Sequence, residues 1–160
     1  MRGGIWVLGF FAALWSIAGI LVEGLSPAWA VLPVAVSVGL LVWASRQSYP
    51  DEGGSARNVG RLVGIWSAIQ GVAMFVTANV LVNMDRFWAV IPACVIIVGL
   101  HFLPLARGIP VRLYYATGAA MIAIGTIALV APAWHLPLAT GLGASIVLWL
   151  SVIGLVRQAR

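Results

Sequence analysis

A chain of 160 residues that is 62% hydrophobic and 8% charged, with a mean hydropathy of +1.07, has too few charges to coat a water-facing globule. Its net charge of +5 does not point to nucleic acid, because all nine basic residues are Arg and they flank apolar stretches instead of forming one patch. The lack of lysine excludes Schiff-base chemistry on this chain, and the single cysteine, Cys94, excludes an intramolecular disulfide.

A helix needs about 20 apolar residues to cross the hydrocarbon core of a bilayer. Six stretches qualify, at roughly 5–23, 28–45, 60–82, 87–106, 112–131 and 136–156. The first follows Arg2 and precedes Ala28-Trp29-Ala30, which imitates a secretory signal. Its apolar run from Ile5 to Val22 exceeds a signal's usual core of about 7–15 residues, so it is read as a membrane helix. Glu23-Gly24-Leu25-Ser26-Pro27 then makes a turn into the second stretch. The segment from Arg46 to Asn58 is the one truly hydrophilic loop. Asn83 to Arg86 and Arg107 to Arg112 are tight connections, and Ala131-Pro132-Ala133-Trp134 closes the last pair.

These elements predict an all-α, polytopic integral membrane protein: one membrane domain over 1–160, with six helices in three hairpins near 5–45, 60–106 and 112–156. Eight arginines fall on one side of the hairpins and only Arg86 on the other. That asymmetry places both termini in the cytoplasm and the chain in the cytoplasmic (inner) membrane. Trp29, Trp88 and Trp134 fall at the opposite helix ends and suit an aromatic belt.

Two segments match at an offset of about 60 residues. Arg2-Gly3-Gly4-Ile5-Trp6 resembles Arg61 to Trp66, and Trp29-Ala30-Val31-Leu32-Pro33 resembles Trp88-Ala89-Val90-Ile91-Pro92. A weaker third copy opens at Arg112 and carries Trp134-His135-Leu136-Pro137. Hairpins of one orientation are parallel repeats, so the expected bundle is pseudo-threefold. Composition alone, with Trp and Pro at interfaces, is the competing explanation.

Ionisable groups inside a membrane are functional candidates by default. Here no carboxylate falls near the middle of a span, which leaves a carboxylate proton relay without a carrier. His101 stands out in the fourth span, as a ligand or proton site or else a packing group bonded to a neighbouring helix. Gln70, with Ser67 beside it, can line a polar path or bond between helices. Arg107 and Tyr115 complete a candidate ligand-binding set with His101, Gln70 and Ser67; interfacial anchoring is the alternative for Tyr115. Gly60, Gly64, Ala68 and Gly71 form a small-residue ridge on the third span, and Gly118, Ala119, Ala123 and Gly125 another on the fifth.

The only other histidine, His135, belongs at the opposite face from His101, so no metal or haem site is expected, and no cofactor. Serines 16, 37, 67, 145 and 151 are isolated in apolar helices without a paired base, so no catalytic residue is assigned and an enzyme is not expected.

Gly99-Leu100-His101-Phe102-Leu103-Pro104-Leu105-Ala106-Arg107, followed by Arg112 to Gly118, resembles a motif of small multi-helix bacterial membrane proteins with no assigned activity. The resemblance covers about 20 residues. It implies a role for His101, Pro104, Arg107 and Tyr115 and no particular chemistry. Locally, Pro104 frees the Leu100 carbonyl, which a polar group such as His101 can satisfy, an architectural role as much as a site.

The leading functional expectation is a small transporter or channel with a polar path near His101 and Gln70 and an unknown small-molecule substrate. The alternative is a non-catalytic structural or accessory membrane protein acting through helix packing, as a homo-oligomer among others. Membrane lipids are the expected partners in either case.

Overall fold

The computed structural model describes residues 2–47, 56–109, 111–131 and 137–158. Among these, six helices form and no strand does: α1 (Arg2–Val22), α2 (Val31–Ser45), α3 (Ala56–Asn83), α4 (Val90–Gly108), α5 (Leu113–Val130) and α6 (Pro137–Gln158). All six, with the short 3-10 turns that precede α2 and α4, are long and apolar enough to cross a membrane. Helix is the only local structure that lets such segments satisfy their own backbone without water. The hydrophilic loop is shorter than expected, because α3 begins at Ala56 and extends below the apolar run. Ala and Arg are good helix formers, and nothing in 56–59 breaks the helix.

The first two hairpins turn by one construction. α1 ends with Leu25 N–H donating to Ile20 O at 3.0 Å and Gly24 N–H to Leu21 O at 3.1 Å. α3 ends with Arg86 N–H donating to Leu81 O at 2.8 Å and Asp85 N–H to Val82 O at 3.1 Å. This paired closure needs a left-handed residue after the helix. Gly24 supplies it with φ +78, and Asp85 with φ +56. Aspartate is among the few non-glycine residues that enter this region readily. A 3-10 turn follows in each case, Pro27–Ala30 or Phe87–Ala89, and then a helix with proline as its third residue. Pro33 and Pro92 are both buried and sit in first turns, where a missing N–H breaks no helical bond. The corresponding residues of the third hairpin, Trp134 and His135, lie outside the described residues.

The chain divides into two compact units of three helices each. The first comprises Met1–Glu52 and Pro137–Arg160, and α1 is its central helix, touching both α2 and α6. The second comprises Gly53–Leu136, and α4 is central, touching both α3 and α5. The grouping is therefore by threes, and α5 and α6, expected as one hairpin, belong to different units.

Within each unit one helix pair meets backbone to backbone. A methyl group on Gly141 would stand 2.5 Å from Trp15 O and 3.0 Å from Gly19 Cα. One on Gly125 would stand 2.6 Å from Pro92 O, and one on Gly118 2.7 Å from Gly99 O. Small residues allow this approach, so α1 packs closely on α6 and α4 on α5. α3 is different. None of its described side chains is buried, and nothing lies within 4 Å of where a methyl group would project from Gly60, Gly64 or Gly71.

Candidate functional site

All five candidate residues, His101, Gln70, Ser67, Arg107 and Tyr115, fall in the second unit. α4 presents opposite faces to its two neighbours. Pro92, Ile96 and Gly99 meet α5, and Gly108 meets the Leu62 side chain of α3. His101 is seven residues before Gly108, two helical turns away, so it shares the α3-facing side. Its Nδ1 lies 3.1 Å from Trp66 O.

That contact assigns the tautomer. A carbonyl oxygen can only accept, so Nδ1 carries the proton and donates. In the neutral ring Nε2 is then left as an acceptor. In a regular helix the Trp66 carbonyl already accepts from the N–H of residue 70, and its second lone pair takes the histidine. The ring also meets Phe102 edge-on, with centroids 5.9 Å apart. The expected role at the Pro104 break is therefore corrected. α4 continues through Pro104, and the ring of His101 reaches across to α3 and not to the Leu100 carbonyl.

Gln70 is half-buried, one turn along α3 from Trp66 and on the same side. Its amide nitrogen donates to Met74 Sδ at 3.6 Å, a weak acceptor, and no hydrogen bond joins it to His101. Ser67 is exposed and turned away from the α3–α4 seam. Arg107, in the last turn of α4, is exposed as well. Tyr115 is exposed, whereas its neighbour Tyr114 is buried with its ring 5.7 Å from that of Phe102. The structure thus joins His101 to Trp66 and seats Gln70 nearby, and leaves Ser67, Arg107 and Tyr115 on the outside. Toward the Arg107 end of α4, Leu105 is buried and the Leu62 side chain of α3 lies against Gly108.

A second polar centre lies inside the first unit. Ser16 Oγ donates to Ser145 Oγ at 2.7 Å, and Ser145 Oγ donates to Ala12 O at 2.7 Å and Gly141 O at 2.8 Å, sharing one proton. Both serines are fully buried. Trp149 Nε1 donates to Ser37 Oγ at 2.9 Å, which ties α6 to α2. Trp15 Nε1 is buried without a partner. The expectation of isolated serines is therefore wrong for residues 16, 37 and 145. The pairings span more than 100 positions, and no local spacing signals them. These bonds join α1 to α6 and α6 to α2, as interhelical packing contacts do. Among the described residues no group of three His, Cys, Asp or Glu side chains could hold a metal.

No family model matches this chain, and no curated protein and no solved structure shows significant similarity to it.

Proposed function

We propose that the chain is a multi-pass protein of the cytoplasmic membrane, with both termini inside, that acts without catalysis by docking a further membrane helix on α3. The observation that carries this reading is the bare ridge of α3. At 100° per residue Gly60, Gly64, Ser67 and Gly71 cluster on one side, more than a quarter-turn from the face that meets α4. The α1–α2, α1–α6, α3–α4 and α4–α5 contacts each place a glycine against a neighbour, and the glycines of this ridge meet none. Small residues confer no advantage against lipid, and they permit helix association. A second copy of the chain is the simplest occupant.

The test is crosslinking of Gly64→Cys in a Cys94→Ser background. A dimer formed by a short thiol crosslinker, with none from a cysteine at Ile65, supports the reading. A monomer throughout overturns it.

A second reading is a small transporter or channel, favoured by the free Nε2 of His101 with Gln70 close along the same seam. It requires water at that seam, which the labelling of Cys94 described below detects. The shared turn construction of the first two hairpins supports an internal duplication. The likeness of 99–118 to small multi-helix bacterial membrane proteins suits either reading.

A further inference from the structure

We draw no further inference here: the strongest candidate, the buried and unpartnered indole N–H of Trp15, next to Ser16 in α1, carries nothing because no second polar group among the described residues comes within hydrogen-bonding reach of it, and a single donor does not make a site.

Discussion

Replacing His101 by Ala removes the hydrogen bond to Trp66 O; the ring's edge-on contact with Phe102 lies within α4 and does not join it to α3. Hydrogen bonds between membrane helices average about 0.6 kcal/mol and reach about 1.7 kcal/mol. At about 1.4 kcal/mol per tenfold, loss of this bond raises the population in which α3 has parted from α4 by about 3-fold to 18-fold. Cys94 reports that population. It is buried, seven residues from His101 on the same side of α4, and level with Ala73 of α3.

A charged, membrane-impermeant thiol reagent labels Cys94 only from water-exposed, opened states. When opening is fast relative to labelling, the rate follows the opened fraction. The expected result is slow labelling of the parent relative to the unfolded chain and a rise of about 3-fold to 18-fold in His101→Ala. His101→Asn, which keeps a donor near the position of Nδ1, is expected to return toward the parent rate. An alanine variant that labels at the parent rate refutes the clamp, and so does an asparagine variant that labels like alanine. Fast labelling of the parent would place water in the seam and favour the transporter reading.

Gly141→Ala and Gly125→Ala each thrust a methyl group against the backbone of the facing helix and are expected to lower stability by about 1–3 kcal/mol, measured as unfolding in detergent. Gly39→Ala meets nothing within 4 Å and is expected to be neutral or stabilising by up to about 1 kcal/mol in the same assay. The Glu23 carboxylate accepts from Leu138 N–H at 3.3 Å in the first turn of α6, so Glu23→Ala is expected to cost about 0.5–2 kcal/mol. Glu23→Gln keeps an acceptor and is expected to cost less, about 0.3–1 kcal/mol, through its lost charge at the positive helix end.

The helices and the turns that close α1 and α3 were legible because their signals are local. Apolar runs, Gly24 and the Trp-Ala-Val-Leu/Ile-Pro segments each act within a few residues. Asp85 was less so, because aspartate at a left-handed position looks like any polar turn residue. Which helix packs on which was not legible. The matching of 2–6 with 61–66 equates α1 with α3, yet α1 is the centre of its unit and α3 the periphery of the other. Glycines are the better guide in retrospect, since Gly19, Gly99, Gly118, Gly125 and Gly141 mark the intimate contacts. Gly60, Gly64 and Gly71 carry the same signal without the same contact, and sequence cannot tell the two cases apart. His101 was found by its rarity, whereas its partner is a main-chain carbonyl, which any residue supplies.

The two units also differ in when a ribosome can complete them. The second is one continuous stretch, so its three helices can close as soon as Val130 has emerged. The first joins α1 and α2 to a helix that begins more than 90 residues after α2 ends. Until α6 arrives, Ser16 lacks the hydroxyl it donates to, Glu23 has no helix end to hold and Gly19 faces nothing. Sequence-distant pairing of this kind is slow, and it leaves the nascent chain half-assembled for most of its synthesis. A chain terminated ahead of Pro137 would carry a complete second unit and an open first one, with the side of α1 that meets α6 left bare.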